Sequence, residues 1–168
     1  MNPSIIPANI LIREYLAGDK HACLEAFRSN VPDFFTEAEI ADFSNFLDDY
    51  PQLTKAPSNT VYEVVEYKGM VIGSGGFGKK EGNAHMTLAW GLIHKDYHKQ
   101  GFGARLLEHR LSQFNRLFPN TSLYLDTTQH SSGFFGKYGF ETLLITPHGY
   151  APNMHRYDMC LHPSHTEY

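Results

Sequence analysis

Seven residues carry the densest chemistry in the chain: His98-Lys99-Gln100-Gly101-Phe102-Gly103-Ala104. They follow the apolar run Leu88-Ala89-Trp90-Gly91-Leu92-Ile93, which reads as a strand. They precede a helix whose apolar face is marked by Leu107, Leu111, Phe114 and Phe118, the spacing of a 3.6-residue period. A strand that turns through glycine into a helix leaves several backbone N–H groups unpaired, and the helix dipole adds partial positive charge to them. Gly101 and Gly103 put no side chain in the way of an approaching anion, so the segment predicts a site for a phosphate or pyrophosphate.

Such an affinity must be local. The formal net charge is -4 over 168 residues, which gives no basic field for a nucleic-acid backbone and argues against DNA or RNA as a partner. Hydrophobic residues at 42% and charged residues at 19% suit a globular fold, and one core can serve this length, so residues 1–168 read as one domain. Cys23 and Cys160 are too few for a disulfide framework and form no Cys-x-x-Cys pair, which points to free thiols in a reducing compartment. The first residues lack a basic and then apolar leader, and no apolar run approaches the roughly 20 residues that span a bilayer. The expectation is a cytoplasmic protein with no membrane partner.

The elements that position the glycine turn follow from local patterns. Residues 10–15 read as a first strand, after which Asp19 is placed as the cap of a helix carrying Ala22, Cys23, Ala26 and Phe27. Thr36 and Glu39 form a capping box for a second helix that runs through Ile40, Phe43 and Leu47 toward Pro51. Residues 62–67, the Lys68-Gly69 turn and residues 70–73 give a hairpin, and the strand ending at Ile93 extends the meander. Beyond the long helix, residues 122–127 form a strand reached by a helical crossover, hence parallel to the strand before that helix. A short helix from Ser132 to Tyr138 ends at Gly139, and strands near 141–145 and 156–161 follow.

Two other patterns carry less. Gly73-Ser74-Gly75-Gly76-Phe77-Gly78 fits the dinucleotide fingerprint Gly-x-Gly-x-x-Gly, but Glu81-Gly82-Asn83 starts no helix, so it reads as a strand end and hairpin loop. A nucleotide-binding protein using this loop is the weakest alternative. His94 and His98 have the spacing of a zinc helix but precede the glycine turn in a loop, so no metal is expected.

With strand, glycine turn, helix, strand and the closing Gly139-Phe140 in place, the chain resembles the GNAT superfamily of acetyl-CoA-dependent N-acetyltransferases, most sharply from about residue 85 to 140. Members carry Arg or Gln, two variable residues, Gly, a variable residue, then Gly or Ala, and this frame falls on His98, Lys99, Gln100, Gly101, Phe102 and Gly103. His98 departs from the first position. A later landmark, Asn followed by an aromatic pair and Gly-Phe, falls on His130, Phe134, Phe135, Gly139 and Phe140. Many members have a proton-donating Tyr where Phe135 stands.

The resemblance implies an α/β (α+β) fold: a mixed, mostly antiparallel central sheet of about six to seven strands, helices on both faces and a splayed central strand pair. It implies acetyl-CoA as co-substrate, no metal, and transfer to a primary amine of a small molecule or peptide by direct attack in a ternary complex. Residues His98, Lys99, Gln100, Gly101, Phe102, Gly103 and Ala104 would hold the pyrophosphate; Leu92, Ile93, His130 and Phe134 would hold the pantetheine arm. Gly91 would fit the family's strand bulge and donate its N–H to the thioester oxygen; the competing reading is a glycine that relieves packing beside Trp90.

Thr87 stands where some relatives have a base-like Glu. His85, two residues earlier on the same strand face, is the candidate base, with a surface histidine as the competing view. Among Tyr138, Tyr150 and Tyr157 as acids for the thiolate, Tyr138 is the choice, against a packing role before Gly139. Phe34, Phe35, Trp90 and Tyr150 are assigned to the acceptor wall, with core packing the alternative for the two phenylalanines. A homodimer is the default assembly. Because Phe135, Thr87 and His98 replace three functional residues of the family, a non-catalytic acyl-CoA sensor stands as the second reading.

Overall fold

The computed structural model describes residues 9–53, 59–79 and 85–163. In chain order the elements are β1 (Ile10–Glu14), α1 (Lys20–Ser29), α2 (Glu39–Leu53), β2 (Val61–Tyr67), β3 (Met70–Lys79), β4 (Met86–Ile93), α3 (Phe102–Leu117), β5 (Leu123–Thr127), α4 (Ser132–Gly136), β6 (Glu141–Ala151) and β7 (Met154–Leu161). The seven strands form one sheet in the order β1-β2-β3-β4-β5-β7-β6. Every pairing is antiparallel except β4 with β5, which the crossover through α3 allows to run parallel. Lys68 and Gly69, both at positive φ (49° and 78°), make the tight β2–β3 turn.

Apolar residues on the two sheet faces explain the layers. Tyr62, Val64 and Leu92 join Cys23, Phe27, Phe43 and Leu47 in one core under α1 and α2. Val65, Ile72 and Ile93 pack with Phe102 and Leu106, and Phe77, Leu88 and Leu125 pack with Leu107 and Phe114, both clusters under α3. Helices therefore cover both faces.

Several local expectations need correction. The Asp19 carboxylate does not cap α1: it accepts from the Leu16 N–H (2.9 Å) and from Arg13 (2.8 and 2.9 Å). Only half of the capping box is present: Glu39 accepts from the Thr36 N–H and hydroxyl at 3.0 Å, while the Glu39 N–H goes to the Thr36 carbonyl and α2 starts at Glu39, continuing past Pro51 to Leu53. Residues 73–78 belong to β3, with 73–77 paired to β2. Their N–H groups lie in a sheet rather than at a helix start, which removes the nucleotide-binding alternative. Lys80, Glu81, Gly82 and Asn83 of that motif lie outside the described residues. No described helix is long and apolar enough to cross a membrane.

Candidate active site

The cavity at the centre of the molecule is made by two failures of pairing. Beyond Met86↔Leu123 and Thr87↔Tyr124, β4 and β5 have no further partners, so the strands part. On its other edge β4 is bulged: Ala89 pairs with Gly76 and Leu92 with Ser74, leaving Trp90 and Gly91 opposite the single residue Gly75. Leu88 belongs to the α3 core while Trp90 and Leu92 pack with the α1–α2 core. In a regular strand 88, 90 and 92 share a face, so the bulge has flipped the chain.

Trp90 sustains this at φ 42°, a left-handed conformation that a bulky residue rarely takes. Its ring is held near Phe27 (5.9 Å), Phe43 (5.4 Å) and Phe46 (6.5 Å). The Tyr62 hydroxyl donates to its carbonyl at 2.8 Å. The aromatic cluster thus over-determines the backbone strain at the bulge. Gly91 next to it lies exposed on the cavity.

The cavity encloses about 840 Å³. One wall is the main chain of β4 and the glycine turn. Gly101 sits at φ 88° immediately before α3, where a side chain would be strained. The first α3 N–H with an acceptor is that of Arg105, to Gly101 O at 3.0 Å; the N–H groups of residues 99–104 have none among the described residues. These free donors at the positive end of a 16-residue helix fit a diphosphate.

His98, Lys99 and Gly103 line the cavity. The His98 ring also braces the turn from within. Its Nε2 lies 2.8 Å from Ile93 O, and since a carbonyl only accepts, that nitrogen carries a proton. Asn30 Nδ2 donates to the same oxygen at 2.9 Å. His98 thus fastens the turn, and Asn30 the end of α1, to the last residue of β4.

The sequence candidates are brought together unevenly. Phe34, Phe35, Trp90, Leu92, Ile93, Phe134 and Tyr150 all line the cavity. Phe34 stands edge-on to His98 (5.5 Å) and His130 (6.0 Å), which links the turn to the loop after β5, although His130 itself is exposed and does not line the cavity. The Phe102 side chain is core, against Tyr67 at 4.9 Å, so only its backbone faces a ligand. Gln100 donates to Asp96 O at 3.1 Å and points away; Ala104 offers its N–H alone.

Two catalytic candidates are misplaced. His85 precedes β4 rather than lying on it; its ring rests 4.3 Å from Tyr124, beside a separate small cavity lined by Lys79 and Ser122. The Tyr138 hydroxyl donates to Glu108 on α3 at 3.1 Å and does not line the cavity.

Four residues at the site were not foreseen. Asp126 on β5 lines the cavity and accepts a short hydrogen bond from the Tyr150 hydroxyl (2.5 Å). Burial, then the adjacent Asp126 charge, push the Tyr150 phenol far above its ordinary range, so it stays a neutral donor. Arg156 Nη2 approaches Asp126 to 3.8 Å. Glu39 lines the same side, and Arg110 projects from α3 toward Gly91. Among the described residues no cluster of three or more His, Cys, Asp or Glu is placed to hold a metal ion.

A seven-stranded sheet with one parallel pair, a bulged strand at the splay and a glycine turn opening the crossover helix define an acetyltransferase architecture. The sequence matches the family "Acetyltransferase (GNAT) domain" over residues 57–142, and the chain belongs to that family. Its fold is similar to that of YncA from Salmonella typhimurium, solved with its cofactor acetyl-CoA (TM-score 0.71, 15% identity, 96% of this chain and 98% of that one). It is also similar to ribosomal-protein-alanine N-acetyltransferase from Brucella melitensis (0.70, 18%, 90% and 99%). A third similar structure is a GCN5-related N-acetyltransferase from Kribbella flavida (0.70, 13%, 91% and 97%). A search of curated proteins finds no match.

Proposed function

We propose that this chain is an amine N-acetyltransferase that moves an acetyl group from acetyl-CoA to a primary amine, of a small molecule or peptide, by direct attack in a ternary complex. One observation carries the reading: the bulge at Trp90-Gly91 and the glycine turn, through Lys99 and Gly103 with their free N–H groups, open on one cavity. The diphosphate belongs at the turn and the pantetheine arm along residues 91–93, with the thioester oxygen at the Gly91 N–H. A fixed donor at that point stabilises negative charge as it develops, an effect of about 3 kcal/mol on the barrier.

The amine enters from the side-chain wall. Phe34, Phe35 and Trp90 give it apolar sides, while Glu39 and Asp126 draw an ammonium ion. A lysine-like amine, with a pKa near 10.4, first loses a proton to solvent. As its nitrogen bonds to carbon it becomes far more acidic, and Asp126, held by Tyr150, takes the second proton. We infer a cytoplasmic setting, in which the buried thiols Cys23 and Cys160 stay reduced.

Calorimetric titration with acetyl-CoA tests the reading: we expect a Kd in the micromolar range, and the absence of binding at millimolar ligand removes it. Thiol release over a panel of amines then separates enzyme from sensor. The sensor reading is favoured by Phe135, which packs on Phe140 at 5.8 Å and has no proton to give; turnover with any acceptor ends it.

A further inference from the structure

Gly103, Leu106 and Arg110 lie on one stripe of α3 facing the cavity. Arg110 is two turns, about 10 Å, along the helix from the glycine turn, at the Gly91 end. Its guanidinium lies against the bulge: a Cβ on Gly91 would come within 2.6 Å of Nη2 and 3.0 Å of Nη1, and one on Gly75 within 3.1 Å of Cζ. Glycine at 75 and 91 is what leaves this space.

The residue is 4% exposed, yet among the described residues it makes one hydrogen bond, from Nη1 to Gly76 O at 3.3 Å. Its Nε is buried without an acceptor among the described residues. The titratable groups facing it are Tyr62 and Glu63 of β2. Tyr62 is a neutral phenol bonded to Ser74 and Trp90 O, and Glu63 is held by His109 at 3.1 and 3.2 Å. A buried arginine that served only the fold would be paired with a carboxylate and fully hydrogen-bonded. This one keeps donors free at the lip of the cavity.

We propose that Arg110 is the cation for the sulfur, its guanidinium pairing with the coenzyme A thiolate that acetyl transfer releases, in place of the acid that Phe135 cannot be. The inference rests on the acetyl-CoA reading above. In that transfer the amine nitrogen bonds to the acyl carbon, the carbon–sulfur bond breaks, and its electron pair stays on sulfur. The surplus proton of the nitrogen goes to Asp126. The thiolate leaves unprotonated, balanced by the guanidinium, and takes a proton from solvent on release. Desolvation pushes the Arg110 pKa down to about 10, still above the roughly 8.5 of a free thiol. The proton therefore stays on nitrogen and the pair is ionic.

The test follows the thiolate absorbance of coenzyme A bound to the wild type, Arg110→Met and Arg110→Lys, against free coenzyme A. Near pH 7.5 we expect about fivefold more thiolate on the wild type than in solution, no excess on Arg110→Met and an intermediate excess on Arg110→Lys. Acetyl-CoA, which has no thiolate, should bind all three within about twofold. Methionine fills the volume and removes an unpaired charge, so its melting temperature should not fall; the Lys variant gives a second measure if it does.

Equal thiolate on wild type and Arg110→Met, with both binding coenzyme A, overturns the proposal. An Arg110-dependent preference for succinyl-CoA over acetyl-CoA also overturns it, because the guanidinium would then read a carboxylate on the acyl group. Failure of the wild type to bind either coenzyme A or acetyl-CoA is a different result, and takes down the acetyl-CoA reading itself.

Discussion

The two walls of the cavity are built from different materials. The β4 side, from the bulge through the glycine turn, presents main chain: Gly91, Leu92, Ile93 and Gly103, with unpaired N–H groups at the turn. The opposite side presents side chains from distant segments, Phe34 and Glu39 before β2, Asp126 on β5 and Tyr150 at the end of β6. A backbone wall reads what all its ligands share, which under the proposed function is a thioester and a diphosphate. A side-chain wall can be rebuilt residue by residue for a new acceptor without disturbing the first. Damage to the two walls should therefore look different.

The largest effect is expected on the backbone wall. Gly91→Val places a Cβ 2.6 Å from Arg110 Nη2, so the guanidinium must shift away from the bulge along the cavity wall. We expect about 1–3 kcal/mol of lost stability from overpacking and about a hundredfold loss in kcat/KM as the thioester donor moves. Thermal melts and steady-state kinetics read the two together. Activity close to wild type would mean that the bulge has no part in the reaction.

Asp126→Asn tests the other wall. The amide keeps the volume and can still accept from Tyr150, so the fold should stand. What goes is the charge that attracts the ammonium and collects its proton, with an expected loss of about a hundredfold in kcat/KM for the acceptor. The affinity for acetyl-CoA should stay within about twofold, since the contacts proposed for it lie on the backbone wall. A parallel loss of acetyl-CoA binding would show that the walls are not independent.

How much of this was legible in the sequence follows the same division. The glycine turn, the amphipathic α3 and the apolar strand before it are local signals, and each stands where its residues predict. The bulge was expected at Gly91 but not the left-handed Trp90 beside it, which depends on aromatic partners tens of residues away. Asp126 falls in the strand predicted over 122–127 with nothing to single it out; its meaning comes from Tyr150, 24 residues on, brought to it by the β6–β7 hairpin. Arg110 was open to detection. It lies four residues from both Leu106 and Phe114 on the inward face of α3, where a charge is out of place, and glycines at 75 and 91 face it. Asp19 failed as a cap for the reverse reason, because Arg13, adjacent only in the fold, claims its carboxylate.

The smallest effects should come from the two catalytic candidates the sequence favoured. His85 was placed on the cavity side by counting two residues back from Thr87, but the strand starts at Met86 and the imidazole turns to Tyr124. Tyr138 is the tyrosine nearest in sequence to the expected cofactor channel. Its phenol is spent on Glu108, and burial and that carboxylate both raise its pKa. His85→Gln and Tyr138→Phe should each change kcat/KM by less than about twofold, with at most about 1 kcal/mol of stability lost from the Tyr138–Glu108 bond. Since Tyr138 packs on Phe134 at 5.5 Å, which does line the cavity, a small rise in KM for acetyl-CoA is consistent with a wall role. A tenfold fall in kcat for Tyr138→Phe with KM unchanged would instead make it the acid for the sulfur, and Arg110 would then have no thiolate to balance.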